Sequence, residues 1–127
     1  PTGDLTQYTD TPDSDEIWPA WSPDGSTIAF SSDRETARVH LYVINAGCVT
    51  PCGDEARRVT PPGDVHEFEP AWSPDSEWIA FSSHRDLENP DDILFDFEIF
   101  IIRPDGSDLT QITRSSNTDD LAPAWGP

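Results

Sequence analysis

The chain has 127 residues, 25 of them acidic against 7 Lys plus Arg, for a formal net charge of −18. That balance argues against nucleic acid, whose phosphates are held by Lys and Arg, and against docking on anionic lipid. No apolar run approaches the ~18 residues of a membrane span, so membrane insertion is not expected.

A hydrophobic content of 35% supplies one modest domain with a core. Thirteen Pro suit short strands and turns rather than long helices. The opening PTGD reads as the inside of a turn, and with no initiating Met the chain is expected to be a processed or excised piece. Residues 1–9, ending LTQYT, read as the outer strand of a preceding unit. An acidic loop, DTPDSDE, follows at 10–16. Strands are then predicted in IWPAWSP (17–23), TIAFSS (27–32), LYVIN (41–45) and ARRVT (56–60). The second set is EFEPAWSP (67–74), WIAFSS (78–83), IFIIR (99–103) and DLTQIT (108–113). The chain closes on PAWGP at 123–127.

The phrase around Pro19 recurs at Pro70 and Pro123, at intervals of 51 and 53 residues. Thr9, Thr60 and Thr113 each stand ten residues before one of these prolines. A fixed order at a period near 50 marks a repeat architecture. The expected units are 10–60 and 61–113, with 114–127 starting a third. The copies differ in their loops: six residues separate Arg34 from Leu41, whereas thirteen (86–98) separate Arg85 from Ile99. The second and third strands of each unit are nearly continuous apolar runs, which implies that both sheet faces are covered. Four-stranded sheets stacked face to face meet that demand, as in the blades of a β-propeller. The fold class is therefore all-β, with two antiparallel blades and overhanging strands at both ends. Two blades cannot close a ring. A piece of a longer propeller, a closed ring of several copies and an end-to-end assembly through strand complementation all fit.

PAWSPDGSTIAFSSDR, LYVINA and RRVT together resemble the repeat of TolB-type (WD40-like) β-propellers. The same repeat occurs in the propeller domains of tricorn-like and prolyl-oligopeptidase-like peptidases and in many secreted bacterial proteins. The likeness spans essentially the whole chain and implies a non-catalytic scaffold with a periplasmic protein partner. Departures are Ser76 for the turn Gly, the cysteine hairpin, and Gly126 for Ser.

Residue roles follow from position. Trp21, Trp72 and Trp125 share one place in the repeat and are expected as wedges between blades, with ligand stacking as the alternative. Trp18 and Trp78 do not recur and are candidates for an exposed contact. Asp24 and Asp75 follow the turn proline and are expected to bond their own turn backbone. Arg34 and Arg85 are expected either to pair with them or to bind an anion. Cys48 and Cys52 lack further thiol or imidazole neighbours in the sequence for a zinc set. They read as a local disulfide, hence an oxidising compartment, or as two reduced thiols.

Carboxylates recur three and four residues before the prolines: Asp15 and Glu16, Glu67 beside His66, then Asp119 and Asp120. With Asp13 they form either a calcium-holding acidic ring or a solvated rim. Further oxygen ligands are Asp10 in the first acidic loop and Asp86, Glu88, Asp91, Asp92, Asp96 and Glu98 in the second. Neither loop has EF-hand spacing. No catalytic motif is present; His66 beside Glu67 and Glu69 is the one acid–base pairing to consider. The expected function is a non-catalytic, extracytoplasmic scaffold for protein binding or self-assembly. The alternatives are a calcium-stiffened subunit of an extracellular polymer or surface layer, and the gating domain of a secreted hydrolase.

Overall fold

The computed structural model describes residues 3–89 and 93–127. Two four-stranded antiparallel sheets follow one another along the chain. The first contains β1 (Glu16–Trp21), β2 (Thr27–Ser32), β3 (His40–Asn45) and β4 (Arg57–Arg58), in that spatial order. The second contains β5 (Glu67–Trp72), β6 (Ile79–Arg85), β7 (Ile93–Ile102) and β8 (Thr110–Gln111), again in chain order. Simple up-and-down order is what short Pro-Asp turns produce, because each strand lies beside the one it has just left.

The turns explain themselves chemically. Gly25 N–H donates to Ser22 O (2.9 Å) with Gly25 at φ +73°, while Asp24 Oδ1 accepts from Ser22 Oγ (2.6 Å) and Ser26 N–H (2.9 Å). In the second copy Ser76 adopts φ +62° and Asp75 Oδ1 takes Ser73 Oγ and Glu77 N–H. Pro104-Asp105-Gly106 builds the β7–β8 turn similarly: Gly106 N–H donates to Arg103 O, and Asp105 Oδ1 accepts from Ser107 N–H and Ser107 Oγ. The register of each first strand breaks just at the repeat proline, between Ile17 and Ala20 and between Phe68 and Ala71. Proline has no N–H for the ladder, so a bulge is where it fits. The residue before each proline has positive φ: Trp18 at 52°, Glu69 at 58° and Ala122 at 52°.

The core lies between the sheets. Ala29, Leu41, Val43 and Val59 of the first sheet meet Ile79, Phe81, Phe100 and Ile102 of the second in one buried cluster. Fully burying each of the larger side chains contributes roughly 1.5–3 kcal/mol. The opposite face of the first sheet buries Ile28, Phe30, Tyr42 and Ile44, against which Tyr8 from the N-terminal segment packs. β2 and β3 are thus covered front and back. β7 is covered on one face only: Phe100 and Ile102 are buried, whereas Ile99 and Ile101 stay half-buried.

Three sequence expectations change. The stretch 86–98, read as an inserted loop, contributes Ile93–Glu98 to β7, which runs ten residues; Asp91 and Asp92 lie outside the described residues. The expected outer strand at 1–9 carries no strand over residues 3–9. No neighbouring third strand is available there among the described residues, so the segment folds onto the first sheet, with Cys52 N–H donating to Tyr8 O (2.8 Å). Residues 114–127 likewise form no ladder, yet they are held in the first-strand position. Asp120 N–H donates to Phe97 O (2.7 Å), as Glu67 N–H does to Val39 O (2.9 Å).

Candidate functional site

The carboxylate three residues before each proline works between sheets. Glu67 is fully buried; its Oε1 accepts from Arg85 (2.8 Å), and its Oε2 accepts from Thr60 Oγ1 (2.6 Å) and Leu41 N–H (2.9 Å). Leu41 and Thr60 belong to the preceding repeat, so one carboxylate ties two sheets together. Burial pushes the Glu67 carboxyl up, but His40, the Arg85 guanidinium and Thr60 outweigh it and hold it below its ordinary 4.5. Glu16 repeats the arrangement with Arg34 (2.5 Å) and Thr11 Oγ1 (2.7 Å). Burial raises its carboxyl too, and bonds from Thr9 and Thr11 with the Arg34 charge bring it below 4.5. Arg34 and Arg85 therefore pair with Glu16 and Glu67, not with Asp24 and Asp75. Oδ1 of each turn aspartate is already held by its own turn's serine and backbone N–H.

The position four before the proline clamps the same seam. His66 Nδ1 accepts from Val39 N–H (3.3 Å), and Asp119 Oδ1 accepts from Phe97 N–H (2.9 Å). Asp15 differs, its N–H donating to Asp33 Oδ1 (2.8 Å). Among the described residues no three His, Cys, Asp or Glu side chains converge to hold a metal ion. The expected acidic ring of Asp13, Asp15, Glu16, Glu67, Asp119 and Asp120 is thus spread along successive seams. Its most buried members, Glu16 and Glu67, are neutralised by arginine.

At the end of the second sheet where β5 begins, β6 ends and β7 begins, aromatic and imidazole rings form a ledge. His66 stacks on Phe68 (5.3 Å), Phe68 on Phe97 (5.3 Å) and Phe97 on His84 (4.9 Å). Trp18 of the first sheet meets Phe68 edge-on at 5.0 Å and is 42% exposed. Arg38 joins the rim, paired with Asp64 (2.7 Å) and set 3.2 Å from His66 Nε2. Burial, then the Arg38 charge and His40, lower the His66 pKa below its ordinary 6.5. Burial, then His66 and Arg38, do the same to His84, whose Nδ1 is buried without a partner. Two neutral imidazoles flanked by three aromatic rings make a half-buried, largely apolar surface with a charged edge. Such a surface stacks on aromatic, proline or aliphatic side chains. Both His66 nitrogens face N–H donors and Glu67 is committed to Arg85, so the acid–base pairing of His66 with Glu67 is not formed. Glu69 accepts from Ala122 N–H (2.8 Å) instead.

The remaining expected residues fall as follows. Trp72 Nε1 donates to Ala20 O and Trp125 Nε1 to Ala71 O, both at 2.9 Å, so each reaches back to the preceding repeat. Trp21 is 54% exposed and touches Tyr8 edge-on. Trp78 lies under Arg103 at 4.2 Å. Cys48 and Cys52 form a disulfide in the β3–β4 connection. Sequence reasoning missed the ledge because its members come from non-equivalent positions of two repeats. Only the pairing of Glu67 with Ser83 and of Ser83 with Glu98 shows that these strand ends meet.

The described residues contain no helix long and apolar enough to cross a membrane. No family model matches the chain. Over 62 residues, 48% of its length, it is 47% identical to an uncharacterised peptidase, YuxL, of Bacillus subtilis. Over 103 residues, 80% of its length, it is 30% identical to the uncharacterised protein Atu1656 of Agrobacterium fabrum. These matches span 8% and 30% of the two relatives' own lengths. A solved structure from Agrobacterium tumefaciens, provisionally named TolB, superposes with a TM-score of 0.56 at 22% identity. It matches 76% of this chain, and the match covers 32% of that protein. The fold is thus that of a partial, TolB-like β-propeller, two blades side by side.

Proposed function

We propose that this propeller segment is a non-catalytic scaffold that holds a protein partner on the ledge of Trp18, His66, Phe68, His84 and Phe97. The observation that carries the reading is the ledge itself: half-buried rings with Trp18 exposed among them, neutral, with the Arg38–Asp64 pair on the rim. Aromatic anchors beside a charged rim are what concentrated protein contacts use. The Cys48–Cys52 disulfide supports an oxidising, extracytoplasmic setting. The likeness to a TolB-like fold supports a role in protein interaction in general. A second reading, the propeller domain of a secreted peptidase, is favoured by the 47% identity to a peptidase-named relative.

The test is quantitative capture of extracytoplasmic proteins on the immobilised chain and on a Trp18→Ala, Phe68→Ala double variant. A discrete partner retained by the parent and lost by the folded variant is expected. Equal retention by both removes the ledge from the account. Cleavage of chromogenic peptides by the isolated chain overturns the non-catalytic reading.

A further inference from the structure

The ledge occupies one place in a repeated surface, and the equivalent places on either side of it carry a different chemistry. His66 stands four residues before Pro70, where the neighbouring repeats have Asp15 before Pro19 and Asp119 before Pro123. His84 stands fourteen residues after Pro70, where the first repeat has Asp33 after Pro19. All these places lie at the same end of the sheets. Asp15 N–H donates to Asp33 Oδ1 (2.8 Å) where β1 begins and β2 ends. His66 Nδ1 accepts from Val39 N–H (3.3 Å), which sets the start of β5 against the start of β3. Asp119 Oδ1 accepts from Phe97 N–H (2.9 Å), so its carboxylate abuts a ring residue of the ledge.

The middle of this surface is therefore imidazole and the flanks are carboxylate. His66 and His84 are held neutral by burial and by neighbouring positive groups. Asp15 and Asp119 are exposed and Asp33 is half-buried. Among the described residues none of these three aspartates makes an ion pair, whereas Glu16 and Glu67 are each paired with an arginine. Arg38, the cation on the rim, is already neutralised by Asp64 at 2.7 Å. The ring surface thus has uncompensated negative charge on both sides: Asp15 with Asp33 towards the first sheet, and Asp119 beyond Phe97.

We propose that the ledge takes a cationic segment of its partner: an apolar ring seated on Trp18 and Phe68, with a basic side chain on each side, one reaching Asp15 and Asp33 and the other Asp119. This partner chemistry rests on the ledge being the docking surface, and adds the sign of the charge that docks there. A segment with Asp or Glu in the flanking places would set like charges together at the rim of a half-desolvated surface, which selects against it. Arginine suits both flanks, because its planar fork pairs with a carboxylate and also lies flat on aromatic rings.

The probes are three acetylated, amidated peptides: Arg-Gly-Trp-Gly-Arg, Glu-Gly-Trp-Gly-Glu and Arg-Gly-Gly-Gly-Arg. Each is titrated into the isotope-labelled protein, with amide chemical shifts giving both the site and the Kd. At about 150 mM salt the Debye length is about 8 Å, so the general charge of the chain is largely screened and nearby carboxylates dominate. The arginine–tryptophan peptide is expected to bind at least ~10-fold more tightly than either of the others and to move the amides of Val39, Phe68 and Phe97. Asp15→Asn, Asp33→Asn and Asp119→Asn combined are expected to erase the preference for arginine over glutamate, since Asn keeps the accepting oxygen and loses only the charge. Equal affinity of the two tryptophan peptides overturns the cationic partner and leaves the ledge reading standing. Equal affinity of the two arginine peptides, or no shift from any of the three, overturns the ledge as the docking surface and the cationic partner with it. Should the combined variant fail to fold, the three-peptide comparison on the parent protein decides alone.

Discussion

Glu67 carries more of the structure than its type suggests, because among the described residues it is the one carboxylate that touches two strands and an arginine while wholly out of water. Removing its charge leaves Arg85 buried against carbonyls with no anion. Glu67→Gln is therefore expected to cost ~3–5 kcal/mol, read by urea or guanidinium unfolding at pH 7. Its carboxyl is held below the ordinary 4.5, so the folded state favours the ionised form. The stabilisation is fully present above 4.5 and is lost as pH falls through the lowered folded value. The gap between parent and variant should narrow over that acid range. A gap that persists unchanged there would mean the loss came from packing and not from charge. The sequence did show a carboxylate recurring before each proline. It did not show what each carboxylate faces, because Arg34 and Arg85 stand nearer in sequence to the turn aspartates, ten residues away, than to Glu16 and Glu67, eighteen residues away.

At the scale of elements, the first strand of each repeat is a connector. Its bulge turns the residue before proline to positive φ, and its tryptophan returns to the repeat behind it. The three tryptophans share a sequence position but not an environment. Trp72 packs against the core between the sheets and bonds Ala20 O, whereas Trp21 is 54% exposed with Tyr8 as its ring neighbour. Trp72→Ala is expected to cost ~3–5 kcal/mol, as large aromatic truncations in a core do. Trp21→Ala is expected to cost less than ~1 kcal/mol, as at exposed sites. Unfolding curves of the two variants side by side test this. Similar losses would mean that both rings are buried alike, and that the N-terminal segment seals the first sheet as fully as a sheet would.

For the whole molecule, a net charge of −18 on 127 residues means that like charges crowd the compact state. The melting temperature is expected to rise as sodium chloride goes from ~10 to ~150 mM, over which the Debye length shortens from about 30 to about 8 Å. Calcium at matched ionic strength tests the metal expectation directly. A rise beyond the sodium curve is the signature of a specific site, and coincident curves are the signature of screening. The apolar outer face of the second sheet is the other whole-molecule feature, with Ile112 55% and Trp125 36% exposed.

The sequence by itself determined the repeat, the four-stranded unit, the Pro-Asp turns and the covered faces of β2 and β3. Each of these depends on residues within a few positions of one another: a proline that fixes φ, an aspartate that bonds its own turn, an unbroken apolar run. Tertiary structure alone decided which carboxylate meets which arginine, that residues 93–98 extend β7, that residues 3–9 lie down without pairing, and that five rings from two sheets share one ledge. Those outcomes depend on which strand ends are brought together across a seam. That is a matter of register and stacking between residues tens of positions apart, and local composition carries no record of it.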